Sequence, residues 1–351
     1  MKLIDLRSDT VTRPTPAMIK AMMSSPVGDD VLGDDPTVIR LENETAKLLG
    51  KPAAMFVPSG TMGNQIAVMT HTRPGDEVIL DYQSHIFRYE VAGAAVMSGV
   101  QFNALTGPGG AMSGEQVEEA IRPDDIHQPR TTLVCLENTH NRAGGTVYPL
   151  AEIKKIAAIC KKRGIKMHLD GARLWNASVA SGVPLKEYSR HFDSVMVCFS
   201  KGMGCPVGSV LAGDKRFIER ARRNRKMLGG GMRQAGLLAG AGLYALRHNI
   251  NRMAQDHRRA KLLARTIAAI DSIDIDISPV QTNIVVFDIR RTGLSPEQAE
   301  ARLARKGLLV VGFGASRLRA VTHLDVDDRD IERAGKILGQ VLGPRCLLKI
   351  P

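Results

Sequence analysis

Two short apolar runs in this sequence end on residues that could share one ligand. Met167-His168-Leu169-Asp170-Gly171-Ala172-Arg173 breaks off at an acid, and Ser194-Val195-Met196-Val197-Cys198-Phe199-Ser200-Lys201-Gly202 breaks off at a lysine. Each reads as a buried strand stopped by a polar residue, and strand carboxyl ends in an open α/β sheet line the crevice where ligands bind. An acid and an amine at that edge suit pyridoxal phosphate (PLP). A lysine carries the cofactor as a Schiff base, and an acid beside the pyridine nitrogen keeps that nitrogen protonated as an electron sink. A helix N-cap aspartate and a surface-loop lysine would account for the two residues equally well, so other positions must decide.

Several do. Val57-Pro58-Ser59-Gly60-Thr61 ends a strand and opens a helix, which gathers backbone N–H groups, a glycine and the Thr61 hydroxyl where a phosphate binds well. His85, in Asp81-Tyr82-Gln83-Ser84-His85, follows the next strand, and its ring could stack on a pyridine or move protons beside it. Arg173 lies three residues beyond Asp170, and Arg319 sits inside the late strand Leu318-Arg319-Ala320-Val321-Thr322. A guanidinium is a natural fork for a carboxylate, and an arginine inside an apolar strand calls for a partner. With Ser8, these two could hold the carboxylate of an amino acid.

The elements that would position these residues are legible in outline. Strand-like runs at Ala54 to Val57, Glu77 to Asp81, Val100 to Leu105, Thr131 to Glu137, Lys166 to Asp170, Ser194 to Phe199 and Val207 to Ala212 are mostly separated by helical stretches. That alternation predicts a largely parallel sheet covered on both faces. An irregular arm over residues 1–36, rich in proline and in the tract Gly28-Asp29-Asp30-Val31-Leu32-Gly33-Asp34-Asp35, precedes it. A large domain is expected over 37–250 and a smaller α/β domain over 251–351. Ser113 with Gln116 and Ser295 with Gln298 have capping-box spacing.

Composition narrows the function classes. The net charge of +12 raises the question of a polyanionic partner, and the densest basic stretch runs from Lys215 to Lys226. There Phe217, Ile218 and Ala221 supply a buried helix face, which makes the charges its solvated side. Aromatic residues are 4% of the chain and none interleave with this cluster, which argues against nucleic acid as a partner. No apolar run reaches the ~20 residues that span a bilayer, and the first residues lack a signal-peptide core, so neither a membrane nor secretion is expected. Cys135, Cys160, Cys198, Cys205 and Cys346 form no CxxC pair and read as reduced packing residues of a cytoplasmic protein.

Taken in order, nine segments resemble the low-specificity L-threonine aldolases over essentially the whole chain. They are Asp5-Leu6-Arg7-Ser8-Asp9-Thr10-Val11-Thr12, Val27-Gly28-Asp29-Asp30, Phe56-Val57-Pro58-Ser59-Gly60-Thr61-Met62, Ser84-His85-Ile86, Glu137-Asn138-Thr139-His140-Asn141, His168-Leu169-Asp170-Gly171-Ala172-Arg173, Ser200-Lys201-Gly202, Gly229-Gly230-Gly231-Met232-Arg233-Gln234 and Arg319-Ala320-Val321-Thr322-His323. The resemblance implies a type I PLP-dependent, aspartate aminotransferase-like α/β fold built as a homotetramer of two tight dimers. It implies that Lys201 carries the cofactor, Asp170 binds the ring nitrogen, His85 stacks on the ring, and Gly60 and Thr61 bind the phosphate. Ser8, Arg173 and Arg319 would hold the substrate carboxylate, His127 would approach the substrate hydroxyl, and Arg233 and Lys226 would reach the cofactor region of a neighbouring subunit.

The implied reaction is retro-aldol cleavage of L-threonine, L-allo-threonine and related β-hydroxy-α-amino acids to glycine and an aldehyde. The base that takes the hydroxyl proton is His85, His127 or a water ordered by them. Another PLP reaction at Cα or Cβ, such as serine hydroxymethyl transfer or a cleavage that prefers phenylserine, uses the same parts. Family members often carry aromatics where this chain has Leu32 and Gln128, and both changes remove bulk beside the expected site. No metal is implied beyond an optional structural cation at the arm near Thr10 and Thr12.

Overall fold

A computed structural model describes residues 3–343. The described residues form two compact units, one of residues 13–251 and the other of residues 3–12 together with 252–343. The amino-terminal arm is therefore shared, with residues 13–36 belonging to the larger unit. No helix among the described residues is long and apolar enough to cross a membrane.

In the smaller unit, β1 (Ile4–Asp5) lies at the start of the chain. The larger unit is built on β2 (Ala53–Val57), β3 (Glu77–Asp81), β4 (Gln101–Leu105), β5 (Thr131–Glu137), β6 (Lys166–Gly171), β7 (Ser194–Cys198) and β8 (Ser209–Gly213). These form one sheet in the order β2-β8-β7-β6-β5-β3-β4. β7, β6, β5, β3 and β4 are parallel, and β8 alone runs against its neighbours. Every residue of β3, β7 and β8 is buried, as expected for strands covered on both faces. All seven expected strands are present: Glu77–Asp81 and Thr131–Glu137 have the expected ends, and the other five are shifted by one or two residues at one or both ends.

Glycine sets how closely the helix Gly60–His71 approaches this sheet. A Cβ added to Gly63 would lie 2.7 Å from Met196 Cγ, and one added to Gly60 would lie 2.7 Å from Cys198 Sγ. Both contacts are too short for a real side chain, so the helix rides directly on β7. Local chemistry closes other helices as the spacing predicts, since the capping boxes at Ser113 and Ser295 are both formed.

The basic helix Lys215–Met227 turns Phe217, Ile218, Ala221 and Arg225 inward. Two of its arginines are committed to the interior of the unit. Arg222 pairs with Glu42, and Arg225 pairs with Asp30 at 2.9 Å while donating to the Phe56 carbonyl. Cys135, Cys160, Cys198 and Cys205 are free and buried, and Cys346 lies outside the described residues. Burial pushes the Cys160 thiol up to about 12, so it stays protonated.

The smaller unit pairs β1 in parallel with β10 (Leu308–Leu309) and sets β9 (Ile284–Asp288), β11 (Val311–Gly312) and β12 (Arg317–Val321) in an antiparallel sheet. Leu308 to Val311 thus carry two short strands rather than one, because β10 bonds β1 and β11 bonds β12. Helices Met253–Ala268, Pro296–Arg305 and Asp328–Leu342 contribute Leu263, Leu303 and Leu338 to a core shared with Ile4, Phe287 and Leu318.

Both members of the Arg225–Asp30 pair are nearly fully buried. Asp30→Ala should therefore cost about 3–5 kcal/mol in chemical denaturation, because it strands a guanidinium without a counter-charge. Adding Arg225→Met should recover much of that loss; a double variant as unstable as the single one would show that the charge is not its cause.

Candidate active site

Alternation along β6 places His168 and Asp170 on one face, two residues apart, and Asp170 emerges where the strand ends. Its neighbours in register are Glu137 on β5 and Met196 on β7. The Asp170 side chain is deeply buried, at 1% exposure. Its Oδ2 accepts from Asn64 Nδ2 at 2.8 Å and its Oδ1 from the Ala172 backbone N–H at 3.0 Å. No lysine or arginine among the described residues is ion-paired with it. A buried carboxylate that meets only neutral donors still has capacity for a cationic hydrogen-bond donor.

His85 opens the short helix His85–Arg88 just beyond β3. Its backbone N–H donates to Glu137 Oε2 at 2.7 Å, and its ring Nδ1 donates to Glu90 Oε1 at 2.8 Å. Glu90 is buried and also accepts from Asn64 Nδ2 at 2.9 Å and from Gln65 Nε2. Burial pulls the His85 pKa down, but the hydrogen bond to Glu90 and the negative charges of Asp170, Glu90 and Glu137 outweigh it and leave the value raised. The ring itself keeps 32% of its surface open, so a ligand can reach it.

Ligand atoms of His85, Glu90 and Asp170 fall within 4.8 Å of one another. The Asn64 amide bridges the two carboxylates and supplies a proton to each, which makes the group a hydrogen-bond cluster rather than a cation cage. Sequence reasoning missed both Glu90 and Asn64. Glu90 follows Arg88 and Tyr89 like any surface charge, and Asn64 sits within a helix where no motif marks it.

The register also accounts for Gly60 and Lys201. Val57 and Cys198 both face Ser209, so β2 and β7 end at the same edge of the sheet as Asp170. Ser59 caps the helix by accepting from the Met62 N–H at 3.1 Å, leaving Gly60 and Thr61 at its first turn, where helical N–H groups lack internal partners. Lys201 is half-buried in the turn joining β7 to β8. That turn is pinned by Phe199 and Ser200 N–H bonds to the Gly208 carbonyl at 3.0 and 3.2 Å, and by Gly204 N–H to the Lys201 carbonyl at 2.8 Å. Arg173 is buried at the start of the helix Leu174–Ser181. Gly60, Thr61, His85, Asp170, Arg173 and Lys201 thus lie along one sheet edge.

His127 does not join them within this chain: it is 81% exposed, with Nδ1 bonded to Asp125 Oδ1 at 2.9 Å. Arg233 is exposed and pairs with Asp29 at 3.0 Å. Lys226 lines a cavity of about 470 Å³ with Asp30, Leu32, Arg225 and Gly231, where Leu32 is exposed. In the smaller unit, Ser8 caps the turn Asp9–Val11 by accepting from the Thr10 N–H, and also accepts from the Thr10 hydroxyl. Arg319 there donates to the Arg7 carbonyl at 3.1 Å and lies over the Phe313 ring. Thr12 donates its hydroxyl to the Asp9 carbonyl at 2.6 Å, so both arm threonines already use their hydroxyl protons locally.

The raised pKa of His85 fixes the sign of its linkage. Its pair with Glu90 contributes fully to stability below the unfolded histidine value of about 6.5 and loses that contribution as pH climbs through the raised folded value. Glu90→Gln should shift the His85 midpoint in an NMR imidazole titration downward; an unmoved midpoint would remove Glu90 as the group that holds the charge.

The beta-eliminating lyase family model matches residues 5–291. A probable low-specificity L-threonine aldolase 2 of Arabidopsis thaliana is 46% identical over 337 residues, covering 95% of each chain. The low specificity L-threonine aldolase of Escherichia coli K12 is 44% identical over 327 residues, covering 92% of this chain and 95% of that protein. Among solved structures, a threonine aldolase of Leishmania major superposes with a TM-score of 0.81 at 21% identity, covering 97% of this chain and all of that one. A putative L-allo-threonine aldolase of Listeria monocytogenes gives 0.79 at 23%, covering 97% and 96%. An alanine–glyoxylate aminotransferase of Nostoc shares the architecture with a TM-score of 0.75, which makes the fold that of the type I PLP enzymes. On this sequence likeness the chain belongs to the beta-eliminating lyase family and, within it, to the low-specificity L-threonine aldolases.

Proposed function

We infer that the chain cleaves L-threonine, L-allo-threonine and related β-hydroxy-α-amino acids to glycine and an aldehyde, using PLP. The observation that carries this reading is Asp170, a buried carboxylate without an ion pair at the sheet edge that also holds Lys201 and the helix start at Gly60. Its donor set fits the cofactor: Asp170 lacks only a cationic N–H, such as that of a protonated pyridine, and Lys201 supplies the amine.

When bound, PLP supplies the sink that accepts the electrons of a breaking Cα–Cβ bond. Lys201 would bind it through the side-chain amine, and Asp170 would hold a proton at the ring nitrogen. The N–H groups of Gly60 and Thr61, with the Thr61 hydroxyl, would bind the phosphate. His85, its ring partly open and Nδ1 anchored on Glu90, would exchange a proton with the substrate hydroxyl through its other nitrogen. Arg173, Arg319 and Ser8 are assigned the substrate carboxylate on chemical grounds, which fixes rotation about the substrate's N–Cα bond and so selects the bond that breaks. His127 is exposed in a single chain, so a role near the substrate hydroxyl would require a neighbouring surface to cover it.

The same reading makes the protein a cytoplasmic homotetramer, with Arg233 and Lys226 directed at a neighbouring subunit. Four buried free cysteines suit a reducing compartment. Light scattering behind a sizing column measures the assembly directly.

Incubating the purified holoenzyme with L-threonine, L-allo-threonine, L-phenylserine and L-serine should release glycine and the matching aldehyde. Keto acid and ammonia in their place would assign β-elimination, the reaction for which the matched family is named. Lys201→Ala should abolish this turnover together with the visible absorbance of the lysine-bound cofactor; retained turnover with an unchanged spectrum would refute the assignment.

A further inference from the structure

Behind Asp170 the larger unit holds a line of buried polar groups that the reaction as described does not use. It starts at Asn64, whose side-chain nitrogen lies 2.9 Å from Glu90 Oε1 and 2.8 Å from Asp170 Oδ2. Only an NH₂ group can face two carboxylates, so the orientation of this amide is settled by chemistry and both of its protons are used. Its Oδ1 therefore points the other way, 3.1 Å from His168 Nε2, which must donate. A neutral histidine protonated at Nε2 leaves Nδ1 as an acceptor, and Ser194 Oγ, 2.8 Å away, gives it the hydroxyl proton. Ser194 Oγ then accepts from His71 Nε2 at 2.8 Å.

We propose that His71, Ser194, His168 and Asn64 form a one-directional hydrogen-bond relay in which His168, as the neutral Nε2–H tautomer, is a positioning residue for the Asp170 carboxylate. This rests on the reading that Asp170 holds the proton of the cofactor's ring nitrogen. The backbone supplies the alignment. His168 and Asp170 alternate on β6, Ser194 faces His168 in register on β7, and Asn64 and His71 lie two turns apart on one face of the helix Gly60–His71.

The direction of the relay cannot reverse, because the two carboxylates fix its starting end. A cationic His168 would turn a second N–H onto Ser194, whose own proton would then have to go to His71 Nε2, so the direction of this end of the relay also requires a neutral His168. Burial drives the His168 pKa down to about 4 and that of His71 to about 3, so both rings remain neutral near pH 7. Water offers no substitute partner, since Asn64 and His168 are both essentially inaccessible.

The test pairs a protein change with a change of one cofactor atom. Apo-protein, shown to be folded by circular dichroism, is titrated with PLP and with the analogue whose ring nitrogen is replaced by C–H. His168→Leu should weaken PLP binding about tenfold, as expected for a buried acceptor left unsatisfied, and leave the carbon analogue within about twofold of wild type. His168→Gln, whose amide can still donate to Asn64, should recover most of the loss. Equal weakening of both ligands, or of neither, would overturn the relay. Should His168→Leu fail to fold, Ser194→Ala is read by the same criterion.

A second measurement needs no cofactor. The ¹⁵N spectrum of the apo-protein should show His168 protonated at Nε2 and bare at Nδ1, and the opposite tautomer would also overturn the proposal. Asp170→Asn separates the two levels of inference. If that variant binds both ligands with unchanged relative affinity, the assignment of Asp170 to the ring nitrogen is itself wrong. If it discriminates between them and His168→Leu does not, only the relay fails.

Discussion

A carboxylate held away from water with no lysine or arginine paired to it among the described residues is the constraint around which the larger unit is arranged. Asp170 accepts only from an amide and a backbone N–H, neither of which brings a positive charge. Leaving such a group buried is costly, and a ligand that brings a protonated nitrogen relieves the cost. On the proposed reading, that cost becomes affinity for one atom of the cofactor.

Charge balance explains the neighbours. Asp170, Glu90 and Glu137 crowd the same edge, and their mutual repulsion is eased where donors intervene. Asn64 does so for two at once, and His85 does so for Glu90 and Glu137 through its ring and its backbone N–H. Holding these charges apart also anchors the His85 ring in one orientation, which matters for a group expected to face a flat ring and pass a proton. The same logic of internal commitment runs through the basic helix, where Arg222 and Arg225 answer Glu42 and Asp30. Part of the positive charge read from composition is therefore structural.

Close packing supplies the precision. Gly60 and Gly63 let their helix sit directly on Met196 and Cys198, so Asn64 on that helix reaches the acid on β6. A larger residue at either glycine would lift the helix, and the amide would no longer span the two carboxylates.

The residues that follow strand ends were legible in the sequence because their signals are local: an apolar run interrupted by a polar residue, or a cap box at fixed spacing. On that basis Gly60, His85, Asp170 and Lys201 could be assigned to one sheet edge, and all seven strands of the sheet could be located. What tertiary structure alone decided is pairing across distance. Asn64 meets Glu90 from 26 residues away and Asp170 from 106, His168 finds Ser194 across β6 and β7, and His127, attractive as a sequence position, stands in solvent beside Asp125. Hydrogen bonds between residues so far apart leave no periodicity in the chain. Their partners are selected by which side chains the folded sheet and helix bring within about 3 Å, and that geometry exists only after the core has packed.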